Sequence, residues 1–350
     1  MTIIINLLLF ILILGAIILV HEAGHFIWAK ITGVYVYEFA IGMGPKIWGF
    51  QKGETEYNIR AIPIGGFCQL AGEDLDEDDA QKVPKDRRLQ YKPVWQRFLI
   101  MVFGPVNNFI LAIVLLFFIA LIWGGTTMSP VVTQVEENSA VEKVGMEAGD
   151  TIVKINNHKI STSDDISLYL AIADPEKENS IMVLKETKEE VTYKVKPTKI
   201  KEGKEESYHY GIGIEQKKTK GLKAAFSYTF HKTKSIFKQM FITVGYLFTG
   251  GIHLNQLSGP VGIYSIVGEQ KSGGISNLLY LMAFLSINVG FINLLPIPAF
   301  DGGHILFIII EVIKGSPINP ELENKINTVF LILLMILMLI ITINDIIRLF

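Results

Sequence analysis

The chain has 350 residues, half of them hydrophobic, with a formal net charge of −2 and a mean hydropathy of +0.38. That average is above what a soluble domain carries, and the near-neutral charge excludes a broad basic field for nucleic acid. A single cysteine, Cys68, excludes an internal disulfide and a cysteine-rich zinc site.

Four stretches, near 3–28, 98–123, 275–310 and 328–350, each hold the ~20 apolar residues that a ~30 Å hydrocarbon core needs. The first has no basic lead and no small-residue cleavage site, so it reads as a span rather than a removed signal. Lys30, Lys92 and Arg97 flank the loop between the first two spans, which puts that loop in the cytoplasm and both termini outside.

The first span runs into "VHEAGHFIWAK" at 20–30. On a helix, residues four apart share a face. His21 and His25 therefore point the same way and can grip one metal ion. Glu22, on the same turn, can reach a water held there, which is the zinc-peptidase arrangement of two ligands and a general base. An acid inside a span costs about 2.5–3.5 kcal/mol on insertion scales, and bound metal would be its compensation. Ala23 and Gly24 are small enough for a neighbouring helix to come close.

Next comes "VYEFAIGMGPKIWGFQKGETEYNIRAIPIGGFCQL", short apolar runs broken by Gly and Pro, with "QKGETEY" as a turn. This predicts a β-hairpin in or against the membrane, whose Tyr57–Ile62 strand offers an edge on which an unwound substrate could add. The acidic "GEDLDEDDA" and the basic "KDRR" after it read as a solvated linker.

Residues from about 126 to 215 form a soluble block of strand-like pieces and a short helix. Its pattern resembles a PDZ domain, through Ser139, Ala140, Gly145, Gly149, Asp150, Ile155, Asn156 and Ile160. Residues 221–250 interleave lysines with aromatics and predict an amphipathic helix at the membrane surface, with His231 and His253 as ordinary polar-face residues.

Two histidines leave a ligand missing. Glu38 fits by spacing but falls in the hairpin. "INLLPIPAFDGGH" in the third span is the better source: Pro296 and Pro298 break the helix, Gly302 and Gly303 loosen it, and Asp301 lies between, with His304 as a rival. Broken backbone at that depth should line a cavity. At ~1.5 Å per residue, His21 lies roughly 27 Å along its span, and Asp301 reaches a similar depth because both spans start outside.

At this point the chain resembles the site-2 protease family of intramembrane zinc metalloproteases, most closely the bacterial RseP-like regulators. "HEAGH" at 21–25 matches the family's HExxH, and "NLLPIPAFDGGH" at 293–304 matches NxxPxPxxDG. "FGPVNNF" at 103–109, "SGPVGI" at 258–263 and "ETEYNIRAIPIGGF" extend the match over nearly the whole chain. The resemblance implies one Zn2+ per chain on His21, His25 and Asp301, with Glu22 as the base. It implies substrate-holding roles for Asn293, for the broken helix at Pro296 and Pro298, and for Asn108 or its neighbour Asn107. The chain departs from well-known members in having one PDZ-like domain rather than two.

The expected fold class is thus a polytopic α-helical membrane protein of about four spans, with a membrane-associated β-hairpin and one inserted PDZ-like α/β domain. Its expected parts are 1–125, 126–217 and 218–350. The expected function is cleavage inside the transmembrane segment of single-span substrates, such as anti-sigma factors or signal-peptide remnants. The setting would be the bacterial cytoplasmic membrane, with the PDZ-like domain outside, gating substrates or binding a peptide tail, and the active site near the cytoplasmic side. The rival reading is a zinc transporter or zinc-binding scaffold, or a receptor with a dead metal site. Neither rival needs Glu22.

Overall fold

The computed structural model describes residues 2–73, 83–202, 205–214, 217–250 and 257–349. Most of the acidic linker, the end of the soluble block at 215–216, and His253 lie outside the described residues. The chain divides into two compact units, 1–116 with 253–350, and 117–252.

In the first unit, α1 (Thr2–Ile31), α2 (Val94–Trp123, whose last turns pass into the second unit), α6 (Ile275–Leu294) and α8 (Pro320–Leu349) are each long and apolar enough to cross a membrane. Helix is the only form that satisfies such a backbone in lipid. The expected third span is two helices, not one: α6 stops at Leu294, and α7 (Asp301–Lys314) begins after the Pro296 and Pro298 break. A short helix, α5 (Pro260–Gln270), precedes α6 and opens on the Pro of "SGPVGI". Phe10, Ile13 and Ile17 of α1 pack with Val267 of α5 and Leu278 and Leu281 of α6. By contrast, α8 shows Leu331, Leu333 and Met335 outward, as a lipid-facing helix does.

Between α1 and α2 lies the hairpin, β1 (Val36–Lys52) and β2 (Thr55–Leu70), turning at Gly53. Bulges fold each strand on itself. Phe39, Ala40 and Ile41 face Tyr57, Asn58 and Ile59 on one edge, and Cys68, Phe67 and Gly66 on the other, while Gly49 and Phe50 cover the far edge of Asn58 and Tyr57. The expected open edge at Tyr57–Ile62 is therefore largely occupied, since Tyr57, Asn58 and Ile59 have neighbours on both sides. Two edges stay open, Trp48–Lys52 at the exposed far side and 66–70 beside α1, beyond which no other strand pairs among the described residues. The base of the hairpin is fixed by Val36 and Leu70 packing with Ala29, Ile100 and Met101. Its far end exposes Ile47, Trp48 and Phe50.

The second unit holds β3 (Gly125–Thr126), β4 (Gln134–Val135), β5 (Thr151–Ile155), β6 (His158–Lys159), α3 (Ser163–Ala171), β7 (Asn179–Leu184), β8 (Glu190–Val195), β9 (Thr198–Glu202), β10 (Glu205–His209), β11 (Ile212–Gly213), β12 (Lys218–Thr219) and α4 (Leu222–Thr249). The central sheet runs β6-β5-β7-β8, and Ile152, Ile155, Ile181, Val183 and Ile166 fill its core. A capping box of Thr162 and Asp165 starts α3. The expected boundary at 217/218 assigned α4 to the C-terminal membrane part. Instead α4 docks on α3: Lys232 and Ser235 reach the Asp164 carboxylate at 2.7 and 2.9 Å, and Lys238 pairs with Asp165 at 2.7 Å. Its Phe230 and Phe241 remain exposed.

Candidate metal centre

The helical spacing of α1 places the His21 and His25 Nε2 atoms 3.3 Å apart. Asp301, 276 residues beyond His25 and in the first turn of α7, brings Oδ2 to 3.1 Å from His21 Nε2 and Oδ1 to 3.4 Å from His25 Nε2. Both histidines are buried.

Glycines make this approach possible. A Cβ at Gly24 would lie 2.1 Å from the Phe103 carbonyl oxygen, so α1 and α2 meet backbone to backbone there. A Cβ at Gly104 would lie 2.2 Å from His25 Nε2, so its absence seats the imidazole. A Cβ at Gly302 would lie 2.1 Å from the Leu295 carbonyl oxygen, which is how α7 folds back on the end of α6. Within the break, Ala299 holds a left-handed φ of +74°, a conformation unfavourable for a residue with a Cβ.

Hydrogen bonds set the ring faces. His25 Nδ1 donates to the Ile100 carbonyl at 2.8 Å, which leaves Nε2 as a bare lone pair. The Asn108 amide lies 3.3 Å from His21 Nδ1, and its Oδ1 is buried without a partner. Amide nitrogen and oxygen are interchangeable by a half-turn. With Oδ1 toward the ring, His21 Nδ1–H gains an acceptor and its Nε2 is bare as well. Asp301 Oδ2 likewise has no hydrogen-bond donor. Two lone pairs and a carboxylate, with ligand atoms within 4.8 Å of one another, repel unless a cation lies among them. Two imidazoles, one carboxylate and an open fourth position suit zinc, and no other group of three or more metal-ligating side chains is so placed among the described residues.

The rival ligands are engaged elsewhere. Glu38 receives the Arg60 guanidinium at 2.6 and 2.8 Å and the Asn58 amide at 2.8 Å. His304 Nδ1 donates to Glu323 at 3.2 Å. Burial pushes the Cys68 thiol above its usual range, so it stays protonated and is a poor ligand.

His21, Glu22, His25, Asp301 and Asn293 line one cavity of about 710 Å³, together with Phe67 and Cys68 of the open 66–70 edge. A Cβ at Gly66 would lie 3.7 Å from the Glu22 Cγ, so the base and the edge strand lie side by side. Pro296 and Pro298 are not among the lining residues; they shape the break behind it. Asn108 is fully buried against His21 rather than facing the cavity, and Asn107 reaches the Val20 carbonyl at 3.3 Å. The supporting roles of Ile100, Gly104 and Asn108 were outside what the sequence reading assigned. For Gly104 and Asn108 "FGPVNNF" was the signal, as a Gly-Pro-x-x-Asn interruption in an otherwise apolar span, while nothing in the sequence marks the Ile100 carbonyl.

The model of peptidase family M50 matches residues 9–337. The chain is 34% identical to the regulator of sigma-W protease RasP of Bacillus subtilis, with 97% of this chain and 98% of that protein covered. It is equally similar, over the same shares, to the zinc metalloprotease RasP of Bacillus licheniformis. With four apolar spans and this cluster of two histidines and an aspartate, the chain belongs to peptidase family M50 and is a multi-pass membrane zinc metalloprotease.

Proposed function

We propose that His21, His25 and Asp301 hold one zinc ion, that Glu22 is the general base, and that the bond cut lies inside the transmembrane segment of a single-span protein. The observation that carries this reading is the meeting of α1 and α7 at 3.1 and 3.4 Å, with Glu22 in the same cavity. Bound zinc supplies a Lewis acid that polarises a peptide carbonyl and brings the pKa of water toward ~7. Glu22 takes the proton of the attacking water and returns it to the leaving amine. Ile100 and Asn108 hold the two rings in the tautomer whose Nε2 lone pair is free to ligate. A helical substrate must unwind first, since its peptide bonds are already paired. The 66–70 edge beside Glu22 receives the unwound segment as an added strand, and Asn293, which lines the same cavity, steadies it. The name of the B. subtilis relative, a regulator of sigma-W, supports anti-sigma factors as one substrate class.

In this reading the α1–α2 loop is cytoplasmic and residues 126–217 form a PDZ-like domain outside, which gates untrimmed substrates. The positive φ at Asn156 and Gly149, at the turns flanking β5, supports the PDZ-like assignment. Deleting that domain should admit untrimmed substrates; continued refusal would remove the gate from the account.

The test is Glu22→Gln in purified protein with a single-span model peptide. Zinc should stay at one per chain and cleavage should fall by roughly 10²–10⁴-fold, the usual weight of a general base. Unchanged cleavage, or zinc loss matching the activity loss, would contradict the role given to Glu22. A transporter or scaffold would be little altered.

A further inference from the structure

The segment that presents Asp301 is tied to α8 on both sides of that residue. Two residues before it, the Ala299 N–H donates to Asn327 Oδ1 of α8 at 3.2 Å. Three residues after it, His304 Nδ1 donates to Glu323 Oε1 of α8 at 3.2 Å. Glu323 and Asn327 are four apart, so they occupy one face of α8, one turn from each other. Ala299 is also the residue held at a φ of +74°. An alanine keeps that conformation only where its surroundings over-determine it, and the Asn327 side chain is the partner that its N–H has.

We infer that Asn327 is a positioning residue for the metal centre: by accepting the Ala299 N–H it locks the left-handed turn that aims Asp301 at His21 and His25, with Glu323 bracing the other side. This rests on Asp301 being a zinc ligand, as proposed above. Asn327 touches neither His21, His25 nor Asp301, so its effect must pass through the backbone of 299–301. Outer partners of this kind typically change metal affinity by 10–100-fold.

The experiment measures zinc retention by the full-length protein in detergent against a chelator, alongside its melting midpoint. Asn327→Ala should hold zinc about 10-fold less tightly, at the low end of that range. Asn327→Asp keeps an acceptor oxygen and should retain zinc nearly as wild type does. Adding Ala299→Gly to Asn327→Ala should restore most of the lost affinity, because glycine takes the left-handed conformation without strain. A role confined to α8 packing would show no such rescue. Wild-type retention in Asn327→Ala, equal loss in Asn327→Asp, or absence of rescue would each overturn the inference. Asp301→Asn separates the two layers: if it keeps zinc as tightly as wild type, the ligand set itself falls. If it loses zinc while Asn327→Ala does not, only the role of Asn327 falls.

Discussion

The two halves of the proposed metal centre are built in opposite ways. His21 and His25 sit in the middle of an unbroken helix, where the i, i+4 spacing alone aligns their rings. Asp301 sits just after a break, beside two prolines, a left-handed alanine and two glycines packed against backbone. One half is made by local geometry and the other by distant contacts. The histidines lie on a continuous helix, whereas the broken stretch between α6 and α7 carries Ala299 and Phe300 of the cavity wall.

The sharpest way to break the comparison is to disturb each half through a glycine. Gly104→Ala drives a methyl into His25, and Gly302→Ala drives one into the Leu295 carbonyl. The Leu294–Leu295 backbone cannot yield as a flexible side chain can, and the His25 ring can yield only by moving its Nε2, so both should abolish zinc binding in protein that still reaches the membrane. Metal analysis of the purified variants checks this, and full zinc occupancy in either would mean the halves approach less closely than described.

Asn108→Ala should act more mildly. It removes the acceptor for His21 Nδ1 but no ligand, and a loss of about 10–100-fold in zinc affinity is expected. Chelator competition measures it. A defect in substrate KM with unchanged affinity would return Asn108 to the substrate-holding role that the resemblance implies.

How much of this was legible beforehand follows the same division. "HEAGH" is readable because a helix maps sequence spacing directly onto a face. Pro296 and Pro298 announce a broken span for a similarly local reason. The open edge beside α1 was not readable, because both Tyr57–Ile62 and 66–70 are strand-like and only the long-range register, with Phe39, Ala40 and Ile41 between them, decides which is free. The docking of α4 was hidden too: Lys232 and Lys238 look like surface lysines until Asp164 and Asp165 are placed opposite. For Asn108 or Asn107 the resemblance implies a substrate role, because a motif places a polar residue in a span without showing which way it points.

The hairpin offers two smaller tests. Glu38 is buried and receives Arg60 through two nitrogens. Arg60→Ala leaves that carboxylate without its charge partner; the pair is part-buried, so the cost should fall well below the about 3–5 kcal/mol of a fully buried pair. Limited proteolysis of the 36–70 segment should show it loosening. A proline at Gln69 on the open 66–70 edge should cut turnover without zinc loss, and unaffected turnover would count against strand addition.

The smallest effect is expected at Glu54. Burial raises its carboxyl pKa, but bonds from Lys30 and Arg87 outweigh this and hold it below the usual 4.5. A carboxylate with a depressed folded-state value stabilises above the unfolded pKa and loses that contribution as pH falls through the folded one. Glu54→Gln should therefore cost less than about 1 kcal/mol at neutral pH and nothing at a pH well under 4.5. Melting curves at both pH values would show the difference vanish on acidification, and a difference that persists in acid would deny the pairing.

The most direct measurement of the central claim is zinc-edge X-ray absorption on the purified protein, wild type beside Asp301→Ala. Two imidazole nitrogens and carboxylate oxygen at roughly 2.0–2.2 Å are expected, with one zinc per chain and the metal lost or its oxygen shell depleted in the variant. A sulfur neighbour, or a spectrum unchanged by removing Asp301, would contradict a centre shared between α1 and α7.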